Sequence, residues 1–194
     1  MDKNIPDWSH YRNPDKVNEL QLASSSIGEG NPVLLIHGFG ASSYSWRHII
    51  APLAQKYRAI TIDLKGFGES PKPRDDLYSV YEQARLVRNF IVENNLQNIH
   101  IIGHSYGGGV ALVTSVYLAA SHPNLQNSLV LIDSIAYPQD LPDFVELLAT
   151  PVLGPLLIYT IPNTIQAKSL LKKVYFNTTV PLTFKVETSE YERG

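Results

Sequence analysis

The sequence predicts an α/β protein whose mostly parallel sheet carries helices on both faces. Three observations predict it: apolar strand-like runs alternate with helical patterns, one run is apolar without interruption, and a G-x-S-x-G motif separates a strand-like from a helix-like stretch. Strands that alternate with helices imply right-handed crossovers and parallel neighbours. A chain of 194 residues is long enough for one such domain with a small insertion.

The first elements can be assigned in chain order. Residues 20–26 are predicted as a leading strand or hairpin arm, because a cluster of turn formers closes the run. Residues 33–37 (VLLIH) form a continuous apolar run, which is typical of a strand covered on both faces. Residues 45–57 place apolar side chains at helical intervals and predict a helix, although Pro52 interrupts the pattern.

The next five elements continue the alternation. Residues 58–64 are predicted as a second buried strand, and residues 80–94 as an amphipathic helix with apolar side chains at i, i+4, i+7 and i+11. A buried strand at 98–102 and an apolar-rich helix at 109–120 flank the G-x-S-x-G motif. Residues 128–133 are predicted as another buried strand.

After this strand the character of the sequence changes. Short helical pieces punctuated by proline predict a helical cap, so we expect a core at residues 1–134 and a cap region with the C-terminus at residues 135–194. Residues 147–167 carry no charge and are long enough to span a membrane. Their three prolines would break such a helix repeatedly, which favours a kinked apolar cover over a pocket.

Composition excludes several classes of function. Sixteen basic and eighteen acidic residues leave a net charge of −2, without the basic surface of a nucleic-acid-binding protein. Zero cysteines exclude disulfides, thiolate metal sites and a cysteine nucleophile, and the spacing of the six histidines pairs none of them as metal ligands. We therefore expect neither a metal nor another cofactor. The polar N-terminus lacks the apolar stretch of a signal peptide, so the expected compartment is the cytoplasm.

The motif at residues 103–108 (GHSYGG) is the most informative part of the sequence. It has G-x-S-x-G spacing between a predicted strand and a predicted helix, as a nucleophile elbow does. In such a tight turn the serine oxygen stands clear of the sheet, and side chains in place of the glycines would collide with neighbouring elements. Ser105 is the predicted nucleophile, and the alternative is a glycine-rich turn without chemistry.

Residues 37–40 (HGFG) follow the first buried strand and predict an oxyanion hole. A serine that attacks a carbonyl needs N–H donors aimed at the oxygen that becomes negative. The predicted donors are the backbone N–H groups of Tyr106, directly after the nucleophile, and of Phe39 in this loop. His37 is either a structural residue that holds the loop by hydrogen bonds or a catalytic base, and its position at a strand end favours the structural role.

Residues 63–70 (DLKGFGES) form a second glycine-containing loop after a buried strand. Asp63 can accept hydrogen bonds from backbone donors of this loop, and the alternative is the acid of a catalytic triad. His104 adjoins the nucleophile in sequence. Neighbours on a strand point to opposite faces, however, so His104 is poorly placed as a base.

These three motifs, in this order and at this spacing, resemble the α/β-hydrolase fold superfamily over residues 20–135. They look most like its cap-bearing branch of esterases, C–C bond hydrolases, haloperoxidase-like enzymes and epoxide or haloalkane hydrolases. The resemblance implies a nucleophile at Ser105, oxyanion donors at Phe39 and Tyr106, and a cap over the pocket. The dehalogenase and epoxide-hydrolase members carry an aspartate as nucleophile, so the serine indicates ester, thioester, amide or C–C hydrolysis through an acyl-enzyme.

The expected partners of Ser105 are missing from the sequence. In such a triad the acid and the histidine follow the serine, and His122 is the sole histidine after it. About fifteen residues of helix would carry His122 roughly 20 Å from the nucleophile, which is too far for a base. Asp133 ends a strand where some lipase relatives keep their acid, although in cap-bearing members that position precedes the insertion. We expect either a fragment of a complete hydrolase or a natural variant without the chemistry.

Two functions are compatible with these motifs. The first is a serine hydrolase of a small apolar ester or related acyl substrate, with its base and acid beyond residue 194. The second is a non-catalytic binding or interaction protein on a degraded hydrolase scaffold. An enzyme assembled from two chains and haloperoxidase-like oxidation stay open. The expected partner is a small apolar molecule, and the sequence specifies no oligomeric state.

Overall fold

The computed structural model describes residues 21–137, which lie within the first of two compact units, Met1–Pro138. The uncharged segment 147–167 and all but the first three residues of the predicted cap region, 135–194, lie outside the described residues. The division of the chain into residues 1–134 and 135–194 therefore stays a prediction. Among the described residues, no helix is both long enough and apolar enough to cross a membrane.

The described residues form five strands, three α-helices and one 3₁₀ helix. In chain order these are β1 (Ser24–Ile27), β2 (Pro32–Ile36), the 3₁₀ helix (Ser43–Trp46), α1 (Ile50–Ala54), β3 (Arg58–Ile62), α2 (Val80–Glu93), β4 (Ile99–His104), α3 (Tyr106–Ser121) and β5 (Gln126–Ile132). The predicted α/β class is confirmed. Most bounds differ from the predicted ones by only a few residues.

The five strands make one sheet in the order β1-β3-β2-β4-β5. Strands β3, β2, β4 and β5 are parallel to one another, and β1 pairs antiparallel with β3. The predicted, mostly parallel sheet is therefore confirmed. Parallel strands end at the same edge of a sheet, so the loops that follow β2, β3 and β4 meet there. These are the loops that contain the three sequence motifs.

Strand β2 lies at the centre of the core, because strands pair with it on both sides and side chains cover both of its faces. All of its residues are buried. Leu34 and Ile36 pack in one cluster with the buried stripe of α2, which includes Val87, whereas Leu35 packs with Trp46 in a second cluster. Alternate side chains of a strand point to opposite faces, so a core on both sides requires the uninterrupted apolar run seen in the sequence.

The prediction of a single helix over residues 45–57 is wrong. The structure has the 3₁₀ helix, which ends at Trp46, and then α1, which begins at Ile50. Pro52 explains the break, because proline has no N–H and is tolerated only in the first turn of a helix, where that N–H would have no partner. A helix continuous from residue 45 would place this proline in its interior, at a cost of about 3 kcal/mol.

Strand β5 is not the buried strand that its apolar sequence predicts. Val130, Leu131 and Ile132 are 44%, 37% and 39% exposed. Within residues 21–137, β5 is the last strand of the sheet and pairs with β4 alone. An apolar run is buried only where other elements cover it, and the position of a strand at a sheet edge is decided by topology.

Candidate active site

Ser105 is the single residue between β4 and α3, at the point where the chain turns from strand to helix. Its backbone adopts φ 52° and ψ −120°, a combination that is strained for any residue with a side chain. The Ser105 N–H donates to the Ile132 carbonyl at 2.9 Å, and the Ser105 carbonyl accepts the Gly108 N–H at 2.9 Å. These bonds hold the serine in the backbone geometry of a nucleophile elbow, while its role as nucleophile stays a prediction.

Two glycines of the motif are required by close approach between elements. A Cβ atom on Gly107 would collide with the carbonyl oxygen of His37 at the end of β2. A Cβ atom on Gly103 would lie 2.7 Å from the Cα atom of Gly108, so β4 and the start of α3 are also in contact. Both neighbours are backbone atoms that cannot rotate away. The close packing of elbow, strand and helix therefore explains the glycines on either side of the serine.

The loop after β2 runs beside the elbow, because β2 and β4 are paired. A Cβ atom on Gly38 would lie 3.3 Å from the Cβ atom of Ser105. Tyr106 is the first residue of α3, so its N–H has no partner within the helix. Among the described residues, neither this N–H nor that of Phe39 takes part in a backbone hydrogen bond. The role of both N–H groups as oxyanion donors stays a prediction.

His37 is fully buried at the end of β2 and joins two loops. Its Nε2 accepts the Leu64 N–H at 3.0 Å, so the ring hydrogen lies on Nδ1, which donates to the Gly38 carbonyl at 2.8 Å. Burial lowers the pKa of His37, and the Gly38 carbonyl and the Asp63 carboxylate oppose this effect in part. With both nitrogens bonded to backbone groups, His37 has the structural role that its position at a strand end predicts.

The buried imidazole makes the stability of the fold depend on pH. The folded state keeps His37 neutral, whereas the unfolded chain binds a proton there below a pKa of about 6.5. Because the unfolded state binds more protons, we expect the free energy of unfolding to fall as the pH drops below about 6.5. Urea unfolding at about pH 7.5 and about pH 5.5 measures this loss. Between these two pH values, the free energy of unfolding should fall less in His37→Gln than in the wild type, and as much in the control His100→Gln as in the wild type. An equal fall in all three proteins would contradict the assignment of His37 as a buried, neutral imidazole.

Asp63 connects the same two loops from the residue after β3. Its Oδ1 accepts the Ser43 N–H at 2.6 Å, and its Oδ2 accepts the Glu69 N–H at 2.8 Å. The Asp63 carbonyl accepts the Ser70 hydroxyl at 2.5 Å, and the oxygen of that hydroxyl accepts the Ala23 N–H at 2.8 Å. Backbone donors bind both carboxylate oxygens, and among the described residues no histidine is hydrogen-bonded to either oxygen, so Asp63 acts as a structural brace between the two loops.

Aromatic side chains lie beside the elbow. The Phe39 ring contacts Phe67 and Tyr106 edge to face, with centroids 5.5 Å and 5.9 Å apart. Phe67 packs in the same manner against His37. Phe39 itself is 61% exposed. The Phe39 ring therefore provides an exposed apolar surface at the residue whose backbone N–H is a predicted oxyanion donor.

The other candidate residues are not bonded to Ser105. His122 directly follows the last residue of α3, at the far end of the helix, and Asp133 is exposed after β5 with φ 44°. His104 is exposed; its Nδ1 lies 3.1 Å from the position that a Cβ atom on Gly38 would take. Within residues 21–137 no hydrogen bond joins a histidine or an acid to the Ser105 hydroxyl. In the same part of the chain, no three His, Asp or Glu side chains form a potential metal site.

A group of hydrogen bonds near the elbow has no counterpart among the predicted residues. The Gln83 side chain accepts the Lys65 N–H at 3.1 Å and donates to the Lys65 carbonyl at 2.8 Å, and the Tyr106 hydroxyl donates to the Tyr78 carbonyl at 3.1 Å. The sequence contains a signal that could have identified Gln83. This residue lies one turn before Val87 on the buried stripe of α2, and a polar side chain at a buried position needs a hydrogen-bond partner. No pattern indicates Tyr78, which contributes a main-chain carbonyl.

Comparison with known proteins gives consistent results. A family model described as alpha/beta hydrolase fold matches residues 31–153. The 2-hydroxy-6-oxo-6-(2'-aminophenyl)hexa-2,4-dienoic acid hydrolase of Metapseudomonas resinovorans is 41% identical over 111 residues, 55% of this chain and 37% of that protein. A protein of Arabidopsis thaliana named "Probable lysophospholipase BODYGUARD 4" is 40% identical over 109 residues, 55% of this chain and 25% of that protein.

A solved structure is similar over a larger part of the chain. It is a bacterial membrane phospholipase A, described as a virulence factor, with a TM-score of 0.65 and 32% sequence identity. The match covers 83% of this chain and 50% of that one. The chain thus matches half of the length of this structure and well under half of the length of the two curated relatives.

Proposed function

Because the chain belongs to the α/β-hydrolase fold family, we propose that Ser105 is the nucleophile of a hydrolase for small apolar esters or related acyl compounds. The observation that carries this proposal is the strained backbone of Ser105, at φ 52° and ψ −120°, together with the N–H groups of Phe39 and Tyr106, which form no backbone hydrogen bond within residues 21–137. A structural turn would be more stable with glycine at this position. A serine is retained in such a conformation where the strain aims its hydroxyl at a substrate.

The proposed reaction proceeds through an acyl-enzyme. The Ser105 oxygen attacks the substrate carbonyl and transfers its proton to a general base. The carbonyl oxygen becomes negative and accepts hydrogen bonds from the N–H groups of Phe39 and Tyr106. When the tetrahedral intermediate collapses, the bond to the leaving group breaks, and the base returns the proton to that group. Water then attacks the acyl-enzyme by the same steps and releases the acid and the free serine.

The general base and the acid that orients it belong, in this proposal, to chain that follows residue 194. One support is the length of the relatives, since the matched parts cover 37% of the Metapseudomonas hydrolase and 50% of the phospholipase structure. A second support is the lack, among residues 21–137, of a histidine bonded to Ser105. His122 is excluded as the base by the length of α3, about 24 Å at 1.5 Å per residue.

The proposed apolar substrate has support at the elbow itself. The exposed ring of Phe39, packed on Phe67 and Tyr106, offers an apolar surface to an acyl group bound at the oxyanion donors. The plant relative and the solved structure are named as a lysophospholipase and a phospholipase A. Both names agree with an acyl substrate.

Fluorophosphonate labelling of the complete gene product tests the proposal. The reading frame downstream of Gly194 is determined from genomic DNA, and the whole product is expressed. We expect one label on Ser105, located by peptide mass mapping, and none in Ser105→Ala. Ser115→Ala is the matched control, because that α3 hydroxyl only donates to the Ala111 carbonyl, at 2.9 Å, and labelling should persist. A folded, complete protein that stays unlabelled at Ser105 would refute the proposal.

A non-catalytic binding protein is the second candidate. The observation that favours it is the same lack of a histidine bonded to Ser105 among the described residues. Loss of the base removes most of the activity of such a site, because the members of a triad act as a unit. This candidate predicts a stop codon or frameshift directly after Gly194 and no label on Ser105. A reading frame that continues into further strand patterns with a histidine would refute it.

A further inference from the structure

We propose that Tyr106 is a positioning residue: its side-chain hydroxyl holds its own backbone N–H, the predicted oxyanion donor, in place. We further propose that the Lys65–Asp75 ion pair supports this hydroxyl by fixing the main-chain carbonyl of Tyr78. The inference rests on the proposed function, because Tyr106 is the residue directly after Ser105. We name residues 65–79, which run from the third residue after β3 to the N-cap of α2, the clamp loop.

The Tyr106 hydroxyl connects α3 to the clamp loop. It donates to the Tyr78 carbonyl at 3.1 Å, and burial raises the pKa of Tyr106, so the phenol stays protonated and remains a donor. Tyr78 directly precedes Ser79, the N-cap of α2, whose hydroxyl accepts the Glu82 N–H at 3.2 Å. The acceptor of the Tyr106 hydroxyl therefore lies at the capped start of a helix.

Lys65 holds the far end of the clamp loop. Its ammonium lies 2.7 Å and 2.9 Å from the two carboxylate oxygens of Asp75, and it donates to the Leu77 carbonyl at 3.1 Å. It also lies 4.5 Å from the centroid of the Tyr78 ring. The hydrogen bond from Lys65 lowers the pKa of Asp75, so this carboxylate stays ionised at neutral pH. One ammonium thus binds three residues within the last five of the clamp loop and restricts the Tyr78 carbonyl.

The first residue of the clamp loop is itself anchored in the core. Lys65 is 8% exposed, and its N–H and carbonyl are both bonded to the side chain of Gln83, which is 1% exposed. A Cβ atom on Gly66 would lie 2.7 Å from a ring carbon of Tyr78, so the ring packs directly on the backbone of the loop. Because the buried Gln83 amide bonds both the N–H and the carbonyl of Lys65, it fixes the position of the Lys65 backbone. The support for Tyr106 therefore extends from α2 through Lys65 to Tyr78.

This support matters because the hydroxyl and the predicted oxyanion donor belong to the same residue. The Tyr106 N–H lies in the first turn of α3, where no intrahelical hydrogen bond restrains it. An oxyanion donor is effective only at hydrogen-bond distance from the position that the negative oxygen takes, and a small displacement lowers the rate. By tying the side chain to the clamp loop, the hydroxyl limits the motion of this turn.

Inactivation of Ser105 by a fluorophosphonate, resolved into kinact and Ki, tests the proposal in the complete gene product. Tyr106→Phe removes only the hydroxyl, and we expect kinact to fall about threefold to tenfold, the effect of one neutral hydrogen bond, with Ki unchanged. Asp75→Asn should also lower kinact, whereas Asp75→Glu, which keeps the carboxylate, should retain most of the wild-type kinact. An unchanged kinact in Tyr106→Phe would overturn the proposal.

The matched control is Arg85→Gln. Arg85 forms an ion pair with Glu82 at 2.6 Å on the exposed side of α2, and its hydrogen bonds among the described residues go to Glu82. This variant removes a charge on the neighbouring helix α2 and leaves the contacts of Lys65 within the clamp loop intact. We expect kinact to stay at the wild-type value, and a fall equal to that of Asp75→Asn would overturn the proposal.

NMR of the ¹⁵N-tyrosine-labelled protein separates this inference from the proposed function. The Tyr106 amide signal is identified as the one lost in Tyr106→Phe. We expect Asp75→Asn to shift this signal and Arg85→Gln to leave it in place. If the protein shows this shift but is never labelled at Ser105, the hydrolase proposal is refuted, whereas the positioning of Tyr106 by the clamp loop is supported. If the Tyr106 signal does not respond to Asp75→Asn, the positioning of Tyr106 by the clamp loop is refuted, whatever the labelling result.

Discussion

Replacement of Gly107 by alanine is expected to lower the free energy of unfolding by about 3 kcal/mol or more. The added Cβ would collide with the His37 carbonyl oxygen and would lie 2.6 Å from the carbonyl oxygen of Ile36. The two oxygens belong to the last residue of β2 and to the residue after it, and β2 is fully buried and paired on both sides. Neither strand nor helix can move apart without opening the core, so the clash cannot be relieved locally.

Urea unfolding of the purified variants measures this effect. Gly40→Ala is the control, because a Cβ atom there meets nothing within 4 Å and adds only the strain of φ 67°. That strain costs about 1 kcal/mol, so the two variants should differ clearly. Equal stabilities of Gly107→Ala and Gly40→Ala would show that the approach of α3 to β2 is not the reason for glycine in the motif.

Asp63→Asn is expected to lower the free energy of unfolding by about 2–4 kcal/mol, although it preserves the shape of the side chain. The two carboxylate oxygens accept N–H groups from Ser43 and Glu69, at 2.6 Å and 2.8 Å. An asparagine has only one oxygen, so its NH₂ group must face one of these donors. One N–H then loses its partner, and the other loses a bond to a charged acceptor.

Thermal and urea unfolding of Asp63→Asn measure the cost, with Asp76→Asn as the control. Asp76 is exposed and lies in the clamp loop, so its substitution removes the same charge without a buried brace. We expect a change of under about 0.5 kcal/mol for the control. If Asp63→Asn were as stable as Asp76→Asn, the assignment of Asp63 as a brace between the two loops would be wrong.

Local sequence patterns were sufficient to predict elements whose burial requires apolar residues at a regular spacing. The apolar run at residues 33–37 predicts a central strand because only such a run can be covered on both faces, and β2 is buried throughout. The helical spacing of residues 80–94 predicts α2, whose buried residues include Ala84, Val87 and Ile91. The same reasoning overestimated the helix at residues 45–57, where the proline decides the helix start.

Other features depend on which strands become neighbours. Val130 and Ile132 are as apolar as the residues of β2, yet they are exposed, and among the described residues β5 is an edge strand of the sheet. Sequence patterns do not specify how many strands follow on that side. Likewise, Lys65 and Asp75 look like ordinary surface charges in a polar loop, and only the folded loop brings the ammonium onto the carboxylate.

The sequence by itself determined the strand, turn and helix around Ser105, because the steric limits of this tight turn exclude side chains at the two glycines that flank the serine. It also favoured the structural role of His37, since a residue at a strand end has backbone groups of the next loop within reach, and the structure shows the bonds. Only the tertiary structure decided that Asp63 braces two loops and that the Tyr106 hydroxyl meets the Tyr78 carbonyl. Such bonds join segments distant in the chain, and their partners are set by the order of strands in the sheet, not by any local pattern.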